Sequence, residues 1–100
     1  MGVNMKMIQQ MQTRLEKMQR ELAETVVEGT AGGGVVTAQV TGAREFRAIS
    51  IDPSVVDPDD VEVLEDLITV AIQDAMNRAN SVAEEKMGAV TGGLRIPGLM

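Results

Sequence analysis

Histidine, cysteine, tryptophan and tyrosine are absent from this 100-residue chain, and a single phenylalanine, Phe46, is its whole aromatic content. Without histidine or cysteine there is no imidazole base, no thiolate nucleophile and no zinc site of the ordinary kinds. The hydroxyls of Ser50, Ser54, Ser81 and the threonines remain, but none lies in a Gly-x-Ser-x-Gly elbow. The composition speaks against an enzyme, and no cofactor, metal or small-molecule substrate is expected. The lack of cysteine also rules out a disulfide framework, which suits a reducing compartment. Long apolar runs are missing too. The longest, Leu67 to Ile72, falls far short of the roughly 20 residues a bilayer span needs, and MGVNMKMIQQ has no signal-peptide core. Met1-Gly2 invites N-myristoylation, but Lys6 stands where that motif wants Ser or Thr. A soluble cytoplasmic protein with no membrane partner is the expectation.

What is present is an ordinary apolar fraction, 44%, with eight methionines in it, and a net charge of −6. Taken flat, that charge opposes a nucleic-acid partner, because phosphate binding rests on Lys and Arg displacing counterions. Its distribution changes the argument, because the acid is local. Asp52, Asp57, Asp59, Asp60, Glu62, Glu65 and Asp66 place −7 in fifteen residues that hold no base, so the other 85 carry +1. A calcium loop would need its own spacing and a central glycine, which this acidic stretch lacks. At this length the chain is one domain.

Ile8, Met11, Leu15, Met18 and Leu22 recur three and four apart, the seam of a two-heptad helix expected from about Met5 to Glu24. On a helical wheel Lys6, Arg14, Lys17 and Arg20 fall mostly opposite that seam, and Glu16 with Arg20 and Arg20 with Glu24 stand at i,i+4. The narrow seam suits a partner helix, from the same chain or a second copy. Thr25 to Thr30 is β-branched, and Gly32-Gly33-Gly34 after it lacks the Gly-Lys-Ser/Thr of a phosphate loop. These glycines are expected to supply positive φ at a tight reversal. Val35 to Thr41 alternates, with Val36, Ala38 and Val40 on the buried face. Gly42-Ala43 predicts a two-residue type II′ turn. In Glu45 to Ile51 the apolar parity shifts near Arg47-Ala48, so a bulge is expected there, with Phe46 buried.

Asp57-Pro58-Asp59-Asp60 reads as a helix start, with Asp57 capping and Pro58 at the first position. Leu64, Leu67, Ile68, Ala71, Ile72, Ala75, Met76, Ala79 and Ala83 form the broad stripe of a core helix running to about Met87. Alanines every four residues from Ala71 to Ala83 make a smooth ridge for close packing. Gly88 is a candidate cap, and residues 88–100 are expected to form a mobile tail. The expected fold is α+β: a single α-β-β-β-α domain, an antiparallel three-stranded meander between a helical arm (1–24), strands (25–51) and a second long helix (57–87). Its open strand edges invite a second copy.

The order of EGTAGGGVV at Glu28 to Val36, ISIDPSVVDPDDVEVLEDLITVAIQDA at Ile49 to Ala75 and EKMGAVTGGLRIPG at Glu85 to Gly98 resembles the YbaB/EbfC family of bacterial nucleoid-associated proteins. With the Gln/Met/Lys-rich first helix, the resemblance covers nearly the whole chain. It implies a homodimer whose helices project as tweezer-like arms, located at the nucleoid and binding duplex DNA with little sequence demand. Carried over, the DNA contacts would come from Lys6, Arg14, Lys17 and Arg20 on the first helix and Arg78 and Lys86 on the second. With one aromatic, base stacking on single strands or RNA is disfavoured, which leaves duplex backbone contact. The alternative is an acidic protein-protein interaction module in which the Asp57 to Asp66 surface or the methionine seam docks another protein.

Overall fold

The computed structural model describes residues 4–90. The chain opens with Asn4, whose Oδ1 accepts the Met7 N–H at 2.7 Å and so caps the first helix, α1, Met5–Glu24. Thr25 ends it. Its N–H donates to the carbonyls of Glu21 and Leu22, its hydroxyl donates to Glu21 O at 2.6 Å, and its extended backbone leads directly into the sheet. Strands β1 (Val26–Ala31), β2 (Val36–Thr41) and β3 (Phe46–Ile51) form an antiparallel meander in the order β1-β2-β3. A 3-10 turn, Pro53–Val55, then leads to helix α2, Val61–Val90.

Gly32, Gly33 and Gly34 all take positive φ between β1 and β2, so their part in the reversal is conformational, as the sequence implies. The second turn differs from expectation. Gly42 does not take the positive φ of a type II′ turn; Arg44 does, at 66°. Arg44 N–H donates to Thr41 O, while Thr41 N–H donates to Glu45 O, both at 2.8 Å, which makes a three-residue loop. The buried Thr41 hydroxyl accepts the Glu45 N–H at 3.1 Å, fixing this longer loop. The bulge falls where the parity shift places it. Gln39 pairs with Ala48 and Val40 with Phe46, leaving Arg47 as the extra residue.

Helix α2 lies across one face of β1 and β2. Val36, Ala38, Val40, Ala71, Ala75 and Ala79 are fully buried between them. The alanine ridge lets the helix approach so closely that a Cβ on Gly29 would meet the backbone of Ala71 and Ala75. Asp74, on one flank of α2, accepts the Thr30 N–H of β1, and Asn80, on the other flank, accepts from Arg44 beside β3. Cross-strand pairing puts Phe46, Ile49 and Ile51 on the helix-facing side with Val40, Ala38 and Val36. Yet α2 does not reach over them. Phe46 is therefore 54% exposed rather than buried, and Ile49 is 37% exposed.

Two helix boundaries also shift. Asp57 closes a turn of its own, with its Oδ1 accepting Asp59 N–H at 2.9 Å and its carbonyl accepting Asp60 N–H at 3.0 Å, so α2 starts at Val61 rather than Pro58. At the other end the helix continues through Gly88 to Val90, because one helical glycine costs only about 1 kcal/mol against alanine and does not stop propagation. The remainder of the expected mobile tail, 91–100, and residues 1–3 of the arm lie outside the described residues. The seam of α1 is half used. Met18 and Leu22 are buried, whereas Ile8 and Met11 remain exposed. The result is elongated, with a radius of gyration of 18.8 Å where about 13 Å is usual for 100 residues, and extents of 68 × 28 × 16 Å.

Candidate nucleic-acid interface

Three cations, Arg14, Lys17 and Lys86, meet where the C-terminal half of α1 packs against the end of α2. Met18 and Leu22 are buried there, Leu22 against Gly42 of the turn after β2, and α1 lies beside the end of α2 in the opposite direction, with Glu21 meeting Lys86. A shallow groove forms between them, lined by Arg14, Lys17, Met18 and Glu21 from α1 and by Lys86 and Ala89 from α2. Arg14 and Lys17 thus border the seam side, although the wheel places them mostly opposite it. Lys86 Nζ lies 3.0 Å from Glu21 Oε2, with 32% and 44% of the two side chains exposed. The hydrogen bond from Lys86 and its charge, with smaller help from Lys17 and Arg20, hold the Glu21 carboxyl below the ordinary range.

The other expected site residues are placed differently. Arg20 borders a separate shallow hollow with Glu16, Gln19 and Ala23, on the side of α1 away from α2. Lys6 is exposed in the first turn, about 21 Å along the helix from Arg20 at 1.5 Å per residue. The expected i,i+4 pairs are not formed: among the described residues the ion pairs are Lys86–Glu21 and Arg78–Asp74. Arg78 Nε lies 3.3 Å from Asp74 Oδ2, beside Val26, Val27 and Glu28 of β1. Asp74 also accepts the Thr30 N–H at 3.0 Å; that bond first, and Arg78 after it, lower its pKa. The structure therefore brings Arg14, Lys17 and Lys86 together, leaves Lys6 and Arg20 on the open side of the arm, and commits Arg78 to the helix–sheet junction.

Sequence reasoning missed Glu21, the one acid inside the basic groove. It stands 65 residues from Lys86, so no local spacing signals the pair. Also unassigned were Arg44, which donates to Asn80 at 3.3 Å, and Arg47, exposed on the bulge.

The acidic segment sits at the far end of α2. Glu62 and Lys86 are about 36 Å apart along the helix, several times the roughly 8 Å Debye length at physiological ionic strength. The groove is thereby screened from the −7 of that segment, so the net −6 does not describe its local field, to which Glu84 and Glu85 beside Lys86 contribute directly. No group of acidic residues among the described residues is placed to hold a metal ion, and no described helix is long and apolar enough to cross a membrane.

Comparison with known proteins agrees with this architecture. Residues 1–94 match the model of the YbaB/EbfC DNA-binding family. A nucleoid-associated protein of Chloroflexus aurantiacus is 57% identical over 91 residues, covering 91% of each chain. One from Alkaliphilus metalliredigens is 50% identical over 95 residues, 95% of this chain and 83% of the relative. Among solved structures, an uncharacterized protein of Helicobacter pylori shares the fold with a TM-score of 0.65, at 20% identity and 87% coverage of both chains.

Proposed function

Since the chain belongs to the YbaB/EbfC DNA-binding family, we propose that it is a homodimeric nucleoid-associated protein that grips duplex DNA by its phosphates and helps to organise or bridge the bacterial chromosome. The observation that carries this reading is the clustering of Arg14, Lys17 and Lys86 on a projecting two-helix arm, remote from the acidic end. Lys6 and Arg20 extend the same arm, and Arg78 adds a cation nearer the sheet. Such groups contact phosphate without reading bases, so binding is expected to be sequence-tolerant and steeply salt-dependent.

Dimerisation is supported by the uncovered half of the sheet. Phe46 and Ile49 lie exposed on the face that α2 leaves uncovered, where Ile51, Ile68, Ile72 and Met76 are only partly buried, and β3 is an open edge. The surface of 7401 Å² exceeds the roughly 5,500 Å² expected of a compact monomer of 10.7 kDa, and a second copy laid on this face removes part of the excess. Two copies double every cation and let modest contacts per arm act together.

Anisotropy titrations of unrelated duplexes at two salt concentrations test the reading. Binding that falls steeply with salt and varies little with sequence supports it; no binding at low salt refutes it. The interaction-module alternative has one observation in its favour, the exposure of Val56, Val61 and Val63 among the acids of the far end. A partner that stays bound after nuclease treatment would favour that alternative.

A further inference from the structure

The basic groove already contains an anion of the chain itself. Three cations, Arg14, Lys17 and Lys86, line the groove with one carboxylate, Glu21, and of these Lys86 is bonded to it, at 3.0 Å. Among the described residues, every charged group lining the groove comes from α1 or α2, and Glu21 is the only acid of that lining. The two side chains are in contact in the free protein, and the same hydrogen bond and charge of Lys86 lower the pKa of the Glu21 carboxyl. A phosphate oxygen entering the groove would seek the same ammonium protons that Glu21 accepts.

We propose that Glu21 is a built-in competitor of DNA phosphate, an intramolecular counterion that occupies the two-helix groove and must release Lys86 before a phosphate can take it. The inference rests on the DNA-binding reading above and adds a negative determinant to it. Its function is to moderate the grip. The arm binds with Arg14 and Lys17 available, while Lys86 joins only after exchanging one anion for another. That exchange weakens binding, and it also blunts the salt dependence, because salt that opposes phosphate contact also loosens the internal pair. A protein that must leave and rebind the chromosome gains from such a brake.

The consequence is that removing the acid at this position strengthens binding more than removing one elsewhere on the arm. Glu21→Gln is expected to tighten duplex binding several-fold at low salt, and to steepen the slope of log K against log salt by up to about 0.9 per arm, one further phosphate contact. Glu16→Gln, on the same helix outside the groove, removes the same charge and measures the general effect of net charge. Glu21→Asp keeps the charge but withdraws the carboxylate by one methylene, so it should give part of the same gain. In the double variant Glu21→Gln/Lys86→Gln the gain should vanish, because it passes through Lys86.

Fluorescence anisotropy on a labelled duplex at four salt concentrations, with melting curves confirming that each variant is folded, reads all of these. Gains for Glu21→Gln and Glu21→Asp beyond that of Glu16→Gln, lost when Lys86 is removed, support the proposal. If the wild type binds DNA and the Glu21 variants behave as Glu16→Gln does, the competitor is overturned while DNA binding stands. If the wild type binds no duplex at low salt, both fall together. Should Glu21→Gln not fold, Glu21→Asp against wild type decides, and an unchanged affinity and slope overturns the proposal.

Discussion

Replacing Gly29 with alanine adds one methyl group in the middle of β1, opposite Ala38, and the structure makes that methyl expensive. Its Cβ would come within 2.7 Å of Ala75 Cα and closer still to Ala75 N and Ala71 O, separations that real Cβ atoms do not tolerate. The obstacle is helix backbone, so no rotamer change relieves it. Either α2 lifts off the sheet, opening space around Val36, Ala38 and Val40, or β1 bends away from its register. Overpacking of a core costs typically 1–3 kcal/mol, and a rigid obstacle belongs at the upper end, about 3 kcal/mol. For a domain of this size each kcal/mol moves Tm by about 4–8 °C, so Gly29→Ala should lower Tm by roughly 12–24 °C. Gly88→Ala is the control. Its Cβ would meet nothing within 4 Å, and a helical alanine in place of glycine should raise stability by up to about 1 kcal/mol. Melting curves followed by circular dichroism at one fixed protein concentration compare the two. A Gly29→Ala melt within about 2 °C of wild type would refute the claim that the approach of α2 is set by backbone against backbone.

Ala75→Met places a long side chain at the same contact, and chemical denaturation should show a loss on the order of 1–3 kcal/mol. Reversing the open-side and groove cations together, Lys17→Glu with Arg20→Glu, should weaken binding to all duplexes alike in a gel-shift titration; unchanged affinity would remove this arm from the interface. Phe46→Asp should convert a dimer to monomers in sedimentation, and a sedimentation profile identical to wild type would show that the bare half of the sheet is not the dimer contact. Acid should destabilise the fold. The carboxyls of Glu21, Asp52 and Asp74 are all lowered, by the Lys86 hydrogen bond, the Ser54 N–H and the Thr30 N–H respectively. A lowered folded pKa means that the unfolded chain takes up protons first. Their contribution is therefore complete above the ordinary carboxylate range near pH 4 and is lost as pH falls below it, so Tm should hold from pH 7 to about 5 and then decline. A Tm that rises on acidification through pH 4 would contradict these three assignments.

Much of this was legible in the residues because it is local. The seam of α1 repeats every three to four positions, the Val36, Ala38 and Val40 alternation has period two, and the shifted parity around Arg47 forces an extra residue into β3. The alanine ridge indicated close packing before any partner was known, and Gly29 proved to lie beneath it. The errors occurred where two local rules competed. Asp57 offers a cap and also a self-closing turn, and the turn prevailed; Gly42 offers positive φ, but the Thr41 hydroxyl bonded to Glu45 favours a longer loop that puts the strain on Arg44. Phe46 was misplaced for another reason. Period and register put it on the correct face, but nothing local states how far a helix extends across a sheet.

The sequence by itself determined the order of elements, the face each presents and the location of the acidic excess, since all three follow from spacing along one strand or helix and from which charges are neighbours in the chain. Tertiary structure alone decided which cations meet, because Lys86 and Arg14 are linked only through the antiparallel docking of two helices separated by the whole sheet. It also decided that a carboxylate stands among them and that half of the sheet's apolar face is left bare. Such facts depend on the distance and angle at which distant segments pack, and periodicity carries no information on either.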